Sequence, residues 1–122
     1  MATLTTTLTL ASTDISTDAL SLSVSDLLTV DGAAISFQVA TSTSSVVFAA
    51  AANYTKSYVF LHNISTTSAE IITIEKADGG DEYMFLGAGE YAFFPWASTV
   101  DLFADAATGT PILEVRIFQA AS

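Results

Sequence analysis

Apolar and polar residues alternate along much of this chain with a period of two. The segments TLTTTLTL, ALSLSVS, AISFQVA and ILEVRIF carry apolar side chains at nearly every second position, with Thr, Ser or charged residues between them. Successive side chains of a strand point to opposite faces of a sheet, so this period is typical of strands with one face in a core and one in water. The many Thr residues also favour extended backbone because their β-carbon is branched.

The middle of the chain has a different pattern. The segments KSYVFLHNI, EIITIEK and EYAFFPW are apolar at consecutive positions, so a strand formed by any of them is apolar on both faces. Such a strand is covered either by other parts of its own chain on both sides or by another subunit. These three segments therefore predict strands with an additional contact surface.

Turn signals separate these segments. They lie at Asp31-Gly32, at Asn63–Ser68, at Asp78–Asp81, at Gly87–Gly89 and at Thr108–Pro111. No segment has a convincing helical period. About eight to ten short strands at regular spacing predict an all-β fold, either an antiparallel β-sandwich or a jelly-roll-like barrel.

The chain has 122 residues, which predicts one domain with a single core. We expect residues 16–122 to form the sandwich and residues 1–15 to form an N-terminal arm or edge strand. The first residues lack the basic and continuous apolar regions of a signal peptide, and the longest apolar run is too short to span a bilayer. Synthesis in a cytoplasm is the resulting expectation.

Charge restricts the class of partner. Thirteen carboxylates stand against two lysines and one arginine, for a formal net charge of −10. Such a surface repels nucleic acid and anionic membranes, because both require Lys and Arg. A basic protein surface suits it better. Cysteine is absent, so disulfides and thiolate metal sites are excluded.

One short motif points to an enzyme. Residues Gly79 to Tyr83 read GGDEY, one residue away from the GGDEF signature of diguanylate cyclases. The cyclase domain resembles a longer α/β unit with helices, whereas no helix is predicted here and Lys76 is the only nearby cation. Paired glycines between two strands also favour a tight hairpin turn, because glycine adopts positive φ at little cost. We therefore predict a turn that joins IITIEK to YMFL.

Acidic residues in two turns raise the possibility of a calcium site. Asp78, Asp81 and Glu82 lie in one turn, and Asp101 and Asp105 lie close together further along. Calcium prefers oxygen ligands in loops, but neither group has the spacing of an EF-hand. We interpret them as solvated acids and predict no metal and no cofactor.

Other catalytic arrangements have little support. His62 is the only histidine, and it shares a predicted strand face with Tyr58 and Phe60. A catalytic triad needs a nucleophile beside an oriented base, and the chain has no G-x-S-x-G motif. We predict that His62 is a core or interface residue. A carboxylate pair for glycoside hydrolysis stays open, although no spacing selects one.

The order of features from Tyr58 onward resembles small β-sandwich structural proteins of tailed bacteriophages, especially those of marine and cyanobacterial phages. The resemblance lies in a strand that ends in an Asn-containing turn, in LGAGE at Leu86–Glu90, in Phe94–Trp96 and in GTP at Gly109–Pro111. It covers about the last half of the chain and is a layout rather than a catalytic signature. The Thr- and Ser-rich first half is similar to such proteins in composition alone.

The resemblance implies a non-enzymatic protein on the exterior of a virion, made in the host cytoplasm. Proteins of that kind decorate or cement the capsid by binding the lattice of the major capsid protein. A homo-oligomer, with a trimer on a local threefold axis as the working guess, would bury the surplus aromatic residues. Two alternatives stay open, a fibre- or spike-type module that binds a receptor or carbohydrate through exposed Trp96 or Tyr side chains, and an enzyme.

Two segments are candidates for the interface. The first is EYAFFPW, whose aromatic area exceeds what one small sandwich readily buries, with a plain core strand as the alternative. The second is the N-terminal arm, Met1 to Ile15, through strand addition to a neighbour. The candidate interface residues are Tyr91, Phe93, Phe94, Pro95, Trp96, Leu4, Leu8 and Leu10.

Overall fold

The computed structural model describes residues 2–14, 19–31, 34–51, 56–76, 81–97 and 99–120. These residues form ten strands and no α-helix. The strands are β1 (Ala2–Ser12), β2 (Leu20–Val30), β3 (Ile35–Ala40), β4 (Val46–Ala49), β5 (Ser57–Asn63), β6 (Ile72–Glu75), β7 (Glu82–Leu86), β8 (Tyr91–Trp96), β9 (Leu102–Ala106) and β10 (Ile112–Gln119). The predicted all-β class is confirmed.

Strands β3 to β10 form a sandwich of two four-stranded antiparallel sheets. The order is β3-β10-β5-β8 in one sheet and β4-β9-β6-β7 in the other. Strands β3 and β10, β4 and β9, β5 and β8, and β6 and β7 are each antiparallel neighbours. Strands β3 to β10 thus form a long two-stranded ribbon, which is closed where β6 connects to β7 and is rolled into two layers, the connectivity of a jelly roll.

The core lies between the two sheets. Val59 and Leu61 of β5 and Val115 of β10 are fully buried from one side, as are Ile72 and Ile74 of β6 from the other. Their neighbours along each strand point outward, as the period of two requires. The alternation seen in ILEVRIF therefore places its apolar set in the core.

Strands β1 and β2 form a separate antiparallel hairpin, which we call the hairpin arm. Their register runs without interruption from Ala2 opposite Val30 to Ser12 opposite Leu20. The hairpin arm joins the sandwich at a bridge between Val30 and Ala120 and through the Asp31 amide, which donates to the Gln119 carbonyl at 2.8 Å. We expected an arm of residues 1–15 alone, but β2 pairs with β1 rather than with the sandwich.

The GGDEY motif lies at the closed end of the ribbon. Gly79 and Gly80 are outside the described residues, but the flanking strands β6 and β7 pair antiparallel. The Lys76 amide donates to the Asp81 carbonyl at 2.9 Å, immediately beyond that pairing. The predicted pairing of the two flanking strands is therefore confirmed, while the glycine turn itself lies outside the described residues.

A buried amide holds the opposite end of the sandwich together. The Asn63 side-chain nitrogen donates to the carbonyls of Glu70 and Leu86, both at 2.9 Å, and its oxygen accepts from the Ser65 amide at 3.0 Å. These bonds tie the end of β5 to the following link and to the end of β7. Every donor of this amide is paired, which a fully buried polar side chain requires.

The turn before β10 packs against the same region. The Glu70 carboxylate accepts from the Ser65 hydroxyl at 2.5 Å and lies against Gly109. Gly109 has a φ of 69°, and a β-carbon there would overlap the carboxylate. The Pro111 carbonyl accepts from both the amide and the hydroxyl of buried Thr41, at 3.1 and 2.7 Å. The Asn-containing turn and the GTP segment are thus parts of one closed end.

Candidate interaction surfaces

The hairpin arm is amphipathic, and its apolar face is largely uncovered. Residues opposite each other in an antiparallel pair share a face, so Leu8 lies beside Val24 and Leu10 beside Leu22. Leu10 is 46% exposed and Leu22 is 43% exposed. Only the attached end is better covered, where Leu4 is half-buried. The other face of the hairpin carries Thr, Ser and Ala, with Leu27 as an exposed exception.

The outer surface of the β3-β10-β5-β8 sheet is aromatic, and we call it the arm-side face. The rings of Tyr58 and Phe93 stack with centroids 6.2 Å apart. His62 lies edge-on to Tyr91 at 6.5 Å and is tilted against Phe60 at 6.1 Å. Tyr91 is 65% exposed. These contacts form two sets of rings, which lie side by side across β5 and β8 because Phe60 is opposite Phe93.

A groove separates the hairpin arm from this face. Its walls are Thr6 to Thr9 and Val24 on the arm, and Phe60 with residues 91–93 on the sheet. The open volume is about 590 Å³. Two apolar surfaces of one chain thus face each other without closing.

Positive charge is concentrated on the arm-side face. The Lys56 ammonium lies over the Tyr58 ring at 5.7 Å from its centroid. Arg116 points outward from β10, with its Nε 3.9 Å from a Glu114 carboxylate oxygen. Two of the three cations of a chain with net charge −10 therefore lie on this face.

The outer surface of the β4-β9-β6-β7 sheet, which we call the far face, is aromatic and acidic. Tyr83 and Phe85 of β7 point outward, and Phe85 is 63% exposed. Beside them is an open pocket of about 460 Å³, lined by Glu75, Glu82 and Asp105 among others. The two outer faces thus share aromatic character but differ in charge.

The acidic residues make ordinary structural contacts. The buried Glu75 carboxylate accepts from the Ser45 hydroxyl, and the Asp101 carboxylate accepts from the Ala51 amide at 2.8 Å. Asp81 lies 4.0 Å from the Lys76 ammonium, with both side chains exposed. In the part of the chain that the structure describes, no three His, Asp or Glu side chains are placed to hold a metal ion. Asp78 is outside that part.

The candidate segment on β8 divides between two surfaces. Tyr91, Phe93 and Pro95 point outward from the sandwich. Phe94 points inward and is half-buried, and Trp96 is 5% exposed and belongs to the core. The inward pair is therefore core rather than contact surface, because alternate residues of a strand face opposite sides. The candidate arm residues Leu4, Leu8 and Leu10 all lie on the apolar face of the hairpin arm.

Several residues of these surfaces were not among the sequence candidates. They belong to other strands whose outward positions are apolar, namely Tyr58, Phe60, Phe118, Leu20, Leu22, Val24, Tyr83 and Phe85. The two-faced pattern of KSYVFLHNI did indicate an extra surface on β5. The partners of β5, however, are β8 and β10, which are distant in the sequence, so the face that these strands share could not be derived without the sheet order.

Comparisons with protein-family profiles, with curated proteins and with solved structures find no match for this chain. None of the described segments is a helix long and apolar enough to cross a membrane.

Proposed function

We propose that this chain is a non-enzymatic structural protein of a tailed-phage virion. In this proposal it decorates or cements the exterior of the capsid by binding the lattice of the major capsid protein as a homo-oligomer, with a trimer as the working stoichiometry. No nucleic acid, membrane or cofactor takes part.

The observation that supports the proposal best is the pair of uncovered apolar surfaces. A soluble monomer seldom exposes contiguous apolar patches beyond a few hundred square ångströms, and larger ones mark protein contacts. Here the hairpin arm exposes Leu10 and Leu22, while the arm-side face exposes Tyr91 and Phe93. An oligomer that binds a regular shell multiplies modest contacts into stable attachment. Fold alone does not carry this argument, because jelly rolls serve many functions.

The test is binding to capsid shells assembled without this chain. Purified protein is mixed with such shells, bound copies are counted after sedimentation, and the complexes are imaged by cryo-electron microscopy. We expect saturable binding with regular density that touches several capsid subunits. Absence of binding at micromolar concentration would overturn the proposal. Density confined to a vertex, fibre or tail would replace capsid decoration with the receptor-binding alternative.

A matched pair of variants sharpens this test. Tyr91→Ser with Phe93→Ser removes exposed rings from the arm-side face, and Tyr83→Ser with Phe85→Ser removes the same ring types from the far face. We expect the first pair to weaken shell binding by roughly tenfold or more and the second to weaken it less. Equal losses would mean that neither face is specific for the shell.

A second candidate, a carbohydrate-binding virion module, keeps one supporting observation. The exposed Tyr91 ring lies beside His62, and such a ring with polar neighbours suits stacking on a sugar. Trp96, the other ring considered for this role, lies in the core. Binding on a glycan array that disappears with Tyr91→Ala would favour this candidate over decoration.

A further inference from the structure

The hairpin arm is longer than the sheet that it faces. Its strands have eleven residues each, or about 36 Å, whereas β5 has seven and β8 has six, or about 20–23 Å. The arm is attached at one end of that sheet, at the Val30–Ala120 bridge. Its other end therefore extends past the arm-side face of its own chain.

The extended end is apolar and only partly covered by the described residues, with Leu10, Leu20 and Leu22 46%, 38% and 43% exposed. The groove between arm and sheet reaches along the arm as far as Thr9 and Val24, and neither Leu10 nor Leu22 lines it. The set that remains beyond the groove, which we call the arm tip, consists of Leu10, Leu20 and Leu22. An uncovered apolar face on a two-stranded hairpin is unfavourable, because two strands alone are marginally stable in water.

The groove between the hairpin arm and the arm-side face is open space between two partly apolar walls. One wall carries Leu8 and Val24, and the other carries Phe60, Tyr91 and Phe93. At about 590 Å³ it has room for several leucine side chains. Every copy of the chain therefore carries an unfilled apolar groove and an apolar segment of the kind that fills one.

We propose that the arm tip of one copy inserts into the groove of a second copy, between that copy's hairpin arm and its arm-side face. The inference deepens the homo-oligomer of the proposed function and does not depend on capsid binding. Insertion is reciprocal between two copies and head-to-tail around a ring, and either arrangement covers both surfaces of each copy and closes the assembly.

Charge favours a second copy as the occupant. The hairpin arm contains no cation, and Asp14 follows β1 beside the arm tip. The arm-side face carries Lys56 and Arg116, two of the three cations in the chain. Glu114 on the same face offsets part of the Arg116 charge. Copies with net charge −10 still repel each other in most orientations, so contact between an arm without cations and the face that carries two of the three cations is the least opposed.

The size of the interface also favours a second copy as the occupant. A stable interface buries about 800 Å² on each partner. The arm tip alone or the exposed Tyr91 and Phe93 alone fall short of that area, because each exposes only parts of a few side chains. Reciprocal insertion covers both sets on both copies and so buries more area than either contact alone.

Cross-linking between differently labelled copies tests the contact directly. The chain has no cysteine, so single introduced cysteines give unambiguous products. Leu22→Cys copies are mixed at low concentration with Tyr91→Cys copies, concentrated, and treated with a short bismaleimide. The control mixture replaces Tyr91→Cys with Phe85→Cys on the far face. We expect the first mixture to give about tenfold more mixed dimer than the control, because the contact raises the local concentration of the two thiols.

Mass measurements then separate the possible arrangements. By light scattering across a concentration series we expect an oligomer for the native chain. Leu10→Ser with Leu22→Ser, or Tyr91→Ser with Phe93→Ser, should raise its dissociation constant roughly tenfold or more, and Tyr83→Ser with Phe85→Ser should leave it unchanged.

Three results would overturn the inference. They are a monomer at every concentration, preferential cross-links between two Leu22→Cys copies, and exclusively intramolecular cross-links in a chain that carries Leu22→Cys and Tyr91→Cys together. A monomer that still binds shells would refute both the insertion and the homo-oligomer, and would leave only the capsid binding of the proposed function standing. An oligomer with the inserted contact that does not bind shells would support the insertion and overturn the proposed capsid binding.

Discussion

Strand β10 and the hairpin arm share a sequence pattern but differ in what covers them. In β10 the alternating residues Leu113, Val115 and Ile117 are fully buried between two sheets. In the arm, Leu10 and Leu22 alternate with Thr and Ser in the same way, yet both remain more than two-fifths exposed. Alternation therefore specifies a strand with two unlike faces, and the topology decides which apolar faces are covered by the same chain.

The difference is energetic as well as geometric. A leucine transferred from water into a packed core contributes about 1.5–3 kcal/mol, so the sandwich obtains its stability from the chain itself. The arm tip obtains little of that free energy in an isolated chain. We therefore expect the sandwich to fold without the arm and the arm to be ordered by its neighbour.

We expect the greatest change in the free energy of unfolding when a core leucine is replaced, and an arm leucine serves as the contrast. Leu61→Ala removes a fully buried core side chain and should lower the free energy of unfolding by about 3 kcal/mol, within the range for buried leucines. Leu22→Ala on the arm tip should change it by less than about 0.5 kcal/mol in dilute protein. Urea denaturation at a concentration below self-association measures both values.

The same two variants can also show that the arm and the sandwich do not differ in this way. A loss for Leu22→Ala as large as that for Leu61→Ala would mean that the arm packs into the folded unit of its own chain. The dilute condition matters, because association would make the arm variant appear destabilising by mass action.

The next effect concerns the closed end of the sandwich. Asn63→Ala leaves the Glu70 and Leu86 carbonyls without their side-chain donor and opens a small cavity. We expect a loss of about 2–3 kcal/mol in the free energy of unfolding, because buried polar groups are left unpaired. Thermal denaturation with Ser65→Ala as the control checks this, since Ser65 is only half-buried. Similar losses for both variants would show that the Asn63 hydrogen bonds contribute no more to the free energy of unfolding than a half-buried Ser65 does.

Two glycines provide a finer measurement in the sandwich turns. Gly109→Ala combines a positive φ with overlap onto the Glu70 carboxylate, and should cost about 2 kcal/mol. Gly89→Ala has a φ of 80° but open space around the β-carbon, and should cost about 1 kcal/mol. Denaturant midpoints of both variants test the order. Adding Glu70→Ala to Gly109→Ala should recover part of its loss, and no recovery would remove the overlap from the explanation.

The smallest expected effect lies at the β6–β7 turn. Asp81→Ala removes an ion pair with Lys76 at 4.0 Å in which both side chains are exposed. Exposed pairs contribute little, so the free energy of unfolding should change by less than about 0.5 kcal/mol. Denaturation at low and high salt checks the value. A loss above 1 kcal/mol would mean that Asp81 stabilises the fold by more than its exposed ion pair explains.

Much of the sandwich could be predicted from the sequence because strand periodicity and turn chemistry are local. The alternation in ILEVRIF located β10 and its buried face, and the paired glycines Gly79 and Gly80 located the β6–β7 connection. The two-faced segment EYAFFPW located β8. Each of these signals spans fewer than a dozen neighbouring residues.

The remaining features depend on pairing between distant residues. Val115 lies opposite Phe37 on one side and Leu61 on the other, and no local pattern specifies those partners. For the same reason Trp96 was a candidate contact residue, although its position on β8 points it into the core. The pairing of β2 with β1 was also not predicted, because the alternation in ALSLSVS is the same as that of a sandwich strand.

The rolled ribbon also has a consequence for how fast the chain folds. Among the described strands of the sandwich, β6 and β7 are the only pair formed by consecutive strands, whereas β3 pairs with β10 across most of the chain. Pairing over such separations carries a loop-closure cost before any contact offsets it, so domains of this kind fold slowly. The β1–β2 hairpin is local and can form in microseconds. We therefore expect newly made chains to present an apolar hairpin well before the groove that would receive it exists, and crowded synthesis to favour aggregation through that segment.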